Sequence, residues 1–201
     1  MGLWRAAAPL VLASGSAVRR RLLEAAGIPV EVRPASLDER ALEASAPSED
    51  PSAVAALLAR AKALRVAGDL SGRLVVGADQ TLALGRRRFD KPADRAAARA
   101  QLQALAGRTH ELHAALAVAR GRDVLFEHVA VARLTMRPLS EAFLDGYLEA
   151  AGAAVTASVG GYQLEAVGVH LFERIEGDHF TILGLPLLPL LAYLRAEGSL
   201  A

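Results

Sequence analysis

Apolar residues are continuous or alternate with polar ones in some segments, and recur every three or four positions in others. The chain is therefore predicted to contain both strands and helices. Continuous apolar runs at residues 9–14 and 74–84 are typical of buried strands, and Gly77-Ala78-Asp79 interrupts the second run. Residues 29–34 alternate valine with charged side chains, which predicts a half-buried strand. The pattern therefore indicates a sheet with a covered interior rather than a helical bundle.

A predicted hairpin indicates that this sheet is not purely parallel. Two strand-like runs, residues 109–119 and 124–136, are separated only by Arg120-Gly121-Arg122. Gly85 and the three arginines after it predict another turn, with Phe89 beginning a short return. Because strands and helices otherwise alternate, the predicted fold class is α/β, a mixed sheet with flanking helices. Further strands are predicted at residues 169–175 and 180–183.

Helices are predicted where apolar residues recur every three or four positions behind a capping residue. Proline is tolerated at the start of a helix, and glycine often follows its end. The segment at residues 45–52 is rich in serine, proline and acids and predicts a loop. The first predicted helix ends at Gly27. The other four run from a Ser52 cap to about residue 67, from an Asp94 cap to residue 105, from Ser140 to about residue 150, and from Pro186 to residue 196.

The composition excludes several classes of protein. Basic residues number 23 against 22 acidic ones, a net charge of +1, and aromatic residues make up 4% of the chain. A stable complex with nucleic acid is therefore not expected, because it needs a basic surface and stacking platforms. Cysteine is absent, which excludes disulfides and zinc–thiolate sites. No apolar run reaches the roughly 18 residues that span a bilayer, so we expect a cytoplasmic protein without a membrane partner.

The choice of basic residue is unusual. Of the 23 basic residues, 21 are arginine, and the two lysines are Lys62 and Lys91. Abundant alanine, leucine and arginine suggest drift toward GC-rich codons, which replaces lysine wherever any solvated positive charge suffices. A lysine that persists is a candidate for a task that suits a compact ammonium, such as contacting phosphate in a crowded pocket. The alternative is that Lys62 and Lys91 escaped this drift by chance.

Residues 14–21 form a candidate anion site between a predicted strand and a predicted helix. Ser14, Gly15 and Ser16 are small, so backbone N–H groups can approach a ligand at a helix N-terminus that carries partial positive charge. Arg19 in the first turn would add bidentate contacts to phosphate oxygens. The glycine spacing and Lys-Ser/Thr pair of a P-loop are missing from this segment. The alternative is an ordinary capped helix with solvated arginines.

Asp79 is a carboxylate within an apolar strand, beside a glycine that admits close approach. Such a group costs free energy unless it meets a cation or a hydrogen-bonding partner, and strand-end carboxylates commonly hold a metal or activate water. Asp38-Glu39 after the second strand could add a second carboxylate. The alternatives are a turn aspartate at position 79 and a solvated acidic pair at positions 38–39.

Three shorter segments contain further candidates. Phe89-Asp90-Lys91-Pro92 places a lysine in a loop fixed by proline, and Gly160-Gly161-Tyr162-Gln163-Leu164-Glu165 combines a flexible backbone with polar side chains. His110 and His113 do not have the spacing of a helical zinc motif, and a half-exposed strand face is the better interpretation of both.

In combination these segments resemble the Maf family of nucleoside triphosphate pyrophosphatases. The family's L-A-S-x-S-P-R-R stands here as Leu12-Ala13-Ser14-Gly15-Ser16 followed by Ala17, Val18 and Arg19, its G-A-D as residues 77–79, and its K-P as Lys91-Pro92. Later matches are Ala106-Gly107-Arg108-Thr109-His110, Phe172-Glu173-Arg174-Ile175-Glu176-Gly177 and Gly184-Leu185-Pro186-Leu187.

The resemblance implies an elongated, two-lobed Maf/ITPase-like α/β architecture with a central cleft, in one domain of residues 1–201 that forms a homodimer. It also implies hydrolysis of a nucleoside 5′-triphosphate to the monophosphate and pyrophosphate with Mg²⁺ or Mn²⁺. By position, Asp79 is the proton acceptor and holds the metal with Glu39. The implied phosphate-binding residues are Ser14, Ser16, Arg19, Lys62 and Lys91.

Departures from the family pattern bear on the nucleotide base. The branch associated with dTTP and UTP carries Thr and Gln where Gln80 and Glu165 stand, whereas the branch acting on 7-methyl-GTP carries Gln and Glu. Val18 replaces the Trp of that second branch. One carboxylate can accept both the N1–H and the amino group of guanine, and N7-methylation adds positive charge. Gln80 and Glu165 therefore predict a guanine-type base, as in house-cleaning of modified nucleotides, whereas Val18 departs from that branch.

Two other functions stay open at this point. A non-catalytic nucleotide-binding regulator of cell division is consistent with the resemblance, although such a protein could lose Asp79. An RNA-binding module would use the arginines at residues 19–21 and 86–88. Near-zero net charge and few aromatic residues count against the RNA-binding module.

Overall fold

The computed structural model describes residues 2–44, 46 and 48–201, so Ser45 and Pro47 of the predicted loop lie outside the described residues. The chain forms two compact units. The first unit contains the chain up to Gln80 together with Ala114–Ala130 and Asp178–Ala201. The second unit contains Thr81–His113 and Val131–Gly177.

The strands form a mixed sheet. In chain order they are β1 (Leu10–Leu12), β2 (Val30–Val32), β3 (Val75–Leu84), β4 (Arg87–Phe89), β5 (Thr109–Arg120), β6 (Asp123–Met136) and β7 (Phe172–Glu176). Over the described residues the sheet has seven strands in the order β2-β1-β3-β5-β6-β7, with β4 paired to β3. β1 runs parallel to β2 and β3, while β4 and β7 are antiparallel to β3 and β6. The predicted α/β fold class with a mixed sheet is therefore confirmed.

Over the described residues the chain forms seven α-helices, and three of them begin where the sequence predicts. They are α1 (Ala17–Ala25), α2 (Glu39–Ala44), α3 (Pro51–Ala67), α4 (Arg95–Leu105), α5 (Glu141–Ala151), α6 (His179–Ile182) and α7 (Leu187–Ala196). The side chains of Asp94 and Ser140 each accept a backbone N–H from the first turn of their helix, as predicted, and Ser16 caps α1 in the same way. Within the described part of the chain, every helix is too short or too polar to cross a membrane.

Five sequence predictions about element boundaries are wrong. Phe89 does not begin the short return strand, because β4 begins at Arg87 and ends at Phe89. Asp50, not Ser52, caps α3 by accepting the Ala53 N–H, because Pro51 already occupies the first helical position. The interruption of β3 at residues 77–79 does not occur, since the strand continues to Leu84. The strand predicted from residue 169 begins at Phe172, after a 3₁₀ turn. Residues 180–183 are not a strand, because Asp178 caps the short helix α6 there.

The strand alternation of the first unit builds a core on each face of the sheet. Leu10 and Leu12 of β1 pack with Leu23 of α1 and with apolar residues of α7, whereas Val11 and Ala13 pack against α3. The face toward α3 is lined mainly by small side chains. A helix can therefore approach this face more closely than the leucine-rich face opposite.

Gly77 is the point of closest approach between β3 and α3. A Cβ at Gly77 would lie 2.2 Å from the Ala59 carbonyl oxygen and 2.5 Å from the Ala63 nitrogen, both backbone atoms of α3. Residues two apart on a strand share a face. Asp79 therefore extends on the α3 side of the sheet, next to the turn of helix that contains Lys62.

In the second unit, a buried aromatic group lies beside the glycine-rich segment. The Nε2 atom of His110 lies 2.7 Å from the Tyr162 hydroxyl, and the ring of Phe172 contacts both residues. Burial lowers the pKa of His110 to about 4, so the ring is neutral at neutral pH. The half-exposed strand face predicted for His110 and His113 is wrong, since both side chains are buried.

Replacing Gly77 by alanine is expected to destabilise the protein by about 3 kcal/mol or more, because the new methyl group overlaps backbone atoms that no rotamer change can move. Urea unfolding of G77A and the parent measures this difference. Gly146→Ala is the matched control, since a Cβ there meets nothing within 4 Å on helix α5. The control is expected to be neutral or stabilising by up to about 1 kcal/mol. Equal stability of both variants would contradict the close approach at Gly77.

Candidate active site

A buried ion pair joins α3 to β3. The Lys62 ammonium nitrogen lies 2.6 Å from Asp79 Oδ1, and the two side chains are only 10% and 11% exposed. A charge without a partner at this depth would be costly, so each residue supplies the counter-charge that the other needs. Asp79 thus has the cation that its strand position requires, and it is not a turn residue.

Glu39 brings a second carboxylate to the same ammonium. Its Oε2 atom lies 3.0 Å from Lys62 Nζ, and its side chain is 45% exposed. Asp38 instead caps α2, because its carboxylate accepts the Ala41 N–H at 3.0 Å. The two adjacent acids of the sequence therefore have different partners, and it is Glu39 that faces Lys62.

Arg19 is held by backbone carbonyl groups from distant parts of the chain. Its Nε donates to the Gly184 carbonyl at 2.7 Å, and its Nη1 donates to the Ala78 carbonyl at 2.8 Å and to Ser14 Oγ at 3.0 Å. Burial lowers the pKa of Arg19, while the carboxylates of Asp79 and Glu39 act in the opposite direction. A guanidinium has five N–H groups, so both N–H groups of Nη2 are left without a partner among the described residues.

The two serines of the predicted anion site support Arg19 and its helix. Ser14 Oγ accepts the Ser16 N–H at 3.3 Å as well as the Arg19 bond, and Ser16 Oγ accepts the Arg19 N–H at 3.3 Å. Val18 is half-buried in the first turn of α1. The ordinary capped helix that was the alternative interpretation is thus present, but its Arg19 turns inward rather than into solvent.

Gln80 is bound to the segment that precedes α7. Its Nε2 donates to the Thr181 carbonyl at 3.0 Å and to the Ile182 carbonyl at 2.9 Å. Both N–H groups of the amide are therefore used, and Oε1 remains as an acceptor.

The remaining sequence candidates lie in the second unit. Lys91 is exposed in the short loop between β4 and α4, next to the buried Pro92. Glu165 is exposed in the segment between the 3₁₀ turns Val159–Gly161 and Val167–Leu171. The structure thus brings Ser14, Ser16, Arg19, Glu39, Lys62, Asp79 and Gln80 together in the first unit, while Lys91 and Glu165 belong to the second.

Cations set among carboxylates suit two chemical tasks. Lys62 and Arg19 offer N–H groups to an anion, and Asp79 and Glu39 offer oxygen atoms to water or to a metal ion. Mg²⁺ is usually held in proteins by one or two carboxylates and completed by phosphate oxygens and water. The donor set therefore fits Mg²⁺ or Mn²⁺, although the described residues contain no group of three or more potential metal ligands.

Sequence reasoning missed the contacts that fix Arg19 and Gln80. The carbonyl groups of Ala78, Thr181, Ile182 and Gly184 carry no side-chain signal, so no pattern of residue types could have assigned them. Helix α2, which orients Glu39, was also missed. Its signal is Asp38, a good capping residue, directly before a run of good helix formers.

The family model and the similar proteins found by sequence comparison agree with each other. The family model of Maf-like protein matches residues 9–197. The chain is 58% identical over 201 residues to a nucleoside triphosphate pyrophosphatase of Bradyrhizobium diazoefficiens and 57% identical to one of Rhodopseudomonas palustris, covering 100% of both chains in each case. It is 52% identical over 195 residues to a 7-methyl-GTP pyrophosphatase of Mesorhizobium japonicum, covering 95% of this chain and 97% of that protein.

Lys62→Met is expected to destabilise the protein by about 3 kcal/mol or more, because Asp79 would stay buried without its cation. The double variant K62M/D79L is expected to be more stable than the sum of the single changes predicts, by at least about 1 kcal/mol. Urea unfolding of the two single variants and the double variant measures this coupling. Glu39→Gln is the control and is expected to cost under about 1 kcal/mol, since Glu39 is half-exposed. Additive single changes would show that the ion pair does not stabilise the fold.

Proposed function

The chain belongs to the Maf family, and we propose that it is a nucleoside triphosphate pyrophosphatase, which hydrolyses a nucleoside 5′-triphosphate to the monophosphate and pyrophosphate. The observation that carries this proposal is the buried Lys62 ammonium between two carboxylates, 2.6 Å from Asp79 and 3.0 Å from Glu39. The relatives named nucleoside triphosphate pyrophosphatase, 57–58% identical over the whole chain, support it.

The first requirement of this reaction is to neutralise the charge of the phosphate chain, because pyrophosphate leaves as water attacks the α-phosphorus. Lys62 donates one of its three N–H groups to Asp79 and forms an ion pair with Glu39, so N–H capacity remains for a phosphate oxygen. Arg19 adds the two N–H groups of Nη2 from a guanidinium that is already fixed in place. Lys91 is proposed to bind phosphate as well, on the strength of its match to the family motif.

The second requirement is a group that orients water and takes its proton. Asp79 Oδ1 accepts from Lys62, whereas Oδ2 has no hydrogen-bond partner among the described residues. Oδ2 therefore provides the acceptor for a proton of the attacking water. Lys62 holds the carboxylate in one orientation, so the proton acceptor is positioned before substrate arrives.

A divalent cation, Mg²⁺ or Mn²⁺, forms part of the proposal. Asp79 and Glu39 are the residues that would hold it, with substrate oxygens and water as the other ligands. When bound, it would help Lys62 and Arg19 to neutralise the negative charge of the phosphate chain.

For the nucleotide base we propose a guanine-type ring, including 7-methylguanine. Glu165 is exposed and so is available to accept two adjacent N–H groups from such a base. The relative named 7-methyl-GTP pyrophosphatase is 52% identical to this chain. Gln80 can contribute only its Oε1 acceptor while its amide nitrogen holds the segment before α7. Val18 gives a smaller apolar surface than the Trp of the 7-methyl-GTP branch.

A cytoplasmic location and a homodimer remain predictions from the sequence and from the family. So does the absence of a stable complex with nucleic acid.

Asp79→Asn is expected to lower kcat by about a thousandfold, because an amide cannot take the proton of water. The measurement is the release of pyrophosphate and monophosphate together from a panel of nucleotides with Mg²⁺ or Mn²⁺. The control is Asp69→Asn, since Asp69 is an exposed surface acid paired with Arg65. If D79N releases pyrophosphate as fast as the parent, Asp79 is not the proton acceptor. A parent that binds nucleotides but releases no pyrophosphate from any of them is better described as a nucleotide-binding regulator.

Glu165→Gln is expected to lower kcat/KM for GTP and 7-methyl-GTP by about tenfold relative to dTTP and UTP, because an amide loses one of the two acceptors that guanine needs. Steady-state hydrolysis of the four nucleotides tests this. Glu173→Gln serves as the control, an exposed acid elsewhere in the second unit. A parent protein that prefers dTTP or UTP, with a preference that E165Q abolishes, would overturn the proposed base.

A further inference from the structure

We propose that Gln101 is a positioning residue, whose single side-chain amide fixes the spacing between the Lys91 loop and the segment that leads to Glu165. Both segments and Gln101 lie in the second unit. The inference rests on the proposed function, in which Lys91 binds phosphate and Glu165 binds the base.

Gln101 lies in the second half of α4 and makes two hydrogen bonds with its amide. Its Nε2 donates to the Asp90 carbonyl at 2.9 Å, immediately before Lys91. Its Oε1 accepts the Gly160 N–H at 3.0 Å, at the start of the segment that ends in Glu165. One planar group therefore connects the backbones of both segments.

The two partners require an amide at this position. Asp90 presents a carbonyl, which needs a donor, and Gly160 presents an N–H, which needs an acceptor. A glutamine satisfies both from a single rigid group, whereas a carboxylate can only accept and an apolar side chain can do neither. The chemistry of the partners also fixes which end of the amide carries the oxygen.

The bond to Asp90 completes the attachment of the backbone around Lys91. Before the loop, Phe89 of β4 pairs with Leu82 of β3. After the loop, Pro92 is buried and Asp94 caps α4 by accepting the Ala97 N–H at 2.7 Å. The backbone is thus anchored on both sides of Lys91, while its ammonium stays exposed and free to reach an anion.

The bond to Gly160 fixes the origin of the segment that carries Glu165. Gly160 has a φ of +79°, and a Cβ there would lie 2.6 Å from Leu82 Cδ1. The next two residues are also held, because the Gly161 carbonyl accepts from the Tyr147 hydroxyl at 3.1 Å and the Tyr162 hydroxyl bonds His110. Glu165 follows three residues later with an exposed side chain.

A triphosphate and its base are covalently joined, so the groups that bind them must keep a fixed separation to act on one nucleotide. Misplacement by about 1 Å can cost a hundredfold in rate, even when the displaced group is far from the reacting atoms. Loss of the Gln101 amide is therefore expected to change both the rate and the discrimination between bases.

The experiment compares Gln101→Met and Gln101→Glu with Gln103→Met. Gln103 lies on the same helix and its amide donates to Glu141 at 2.9 Å, so the control loses one exposed hydrogen bond without touching either segment. Q101M is expected to lower kcat/KM about tenfold and to reduce the ratio of guanine to uracil nucleotide hydrolysis severalfold. Q103M is expected to change either value by less than about twofold. Melting temperatures confirm that all variants are folded.

Q101E tests the hydrogen bond to Asp90 separately from the hydrogen bond to Gly160. Its carboxylate still accepts from Gly160 but cannot donate to Asp90, so the rate is expected to fall about fivefold while the ratio between bases is retained. In a Lys91→Ala background, adding Q101E is expected to lower the rate by less than about twofold, because the loop then no longer presents the ammonium that Gln101 positions.

The outcomes separate this inference from the proposed function. If the parent releases pyrophosphate from no nucleotide, the proposed function fails and the inference fails with it. If the parent is active but Q101M matches Q103M, only the inference is overturned. The inference is also overturned if two results occur together. In the first, Q101M lowers kcat/KM without changing the ratio of guanine to uracil nucleotide hydrolysis. In the second, Q101E lowers the rate about fivefold in the Lys91→Ala background as well.

Discussion

The absence of a side chain at Gly77 controls how closely α3 lies against β3, and the rest of the site depends on that distance. The Ala59 carbonyl oxygen and the Ala63 nitrogen occupy the space that a Cβ would need. Because the backbones meet there, Lys62 and Asp79 lie opposite each other, too close for water to separate them. A wider gap would leave two solvated charges in place of a buried 2.6 Å pair.

The strands and caps were largely predictable, because alternation and helix capping are local properties. The errors occurred where two local signals compete. Residues 180–183 are apolar enough for a strand, but Asp178 accepts the Thr181 N–H and starts a helix instead. Ser52 and Asp50 are both good capping residues, but Pro51 occupies the first helical position, so Asp50 is the cap. Apolar run length alone does not resolve such cases.

Most of the charged residues that the structure brings together in the first unit stand out in the sequence, but their contacts do not. Asp79 in an apolar strand indicated a buried cation, and the rarity of lysine indicated Lys62, yet their pairing depends on how α3 lies on β3. Two of the three side-chain hydrogen bonds of Arg19 and both of those of Gln101 end on backbone groups, which nearly every residue type carries. Sequence patterns describe side chains, so contacts of this kind become visible only in three dimensions.

The charges of the four side chains Arg19, Lys62, Asp79 and Glu39 sum to zero, because two are positive and two are negative. An electroneutral cluster attracts a polyanion only weakly over long range, so electrostatic steering by these residues is slight and nearly independent of ionic strength. A triphosphate would gain its contacts at short range, from the Lys62 N–H capacity that Asp79 does not use and from the two N–H groups of Arg19 Nη2. Selection between phosphorylated ligands would then depend on how well their oxygen atoms fit these fixed N–H groups.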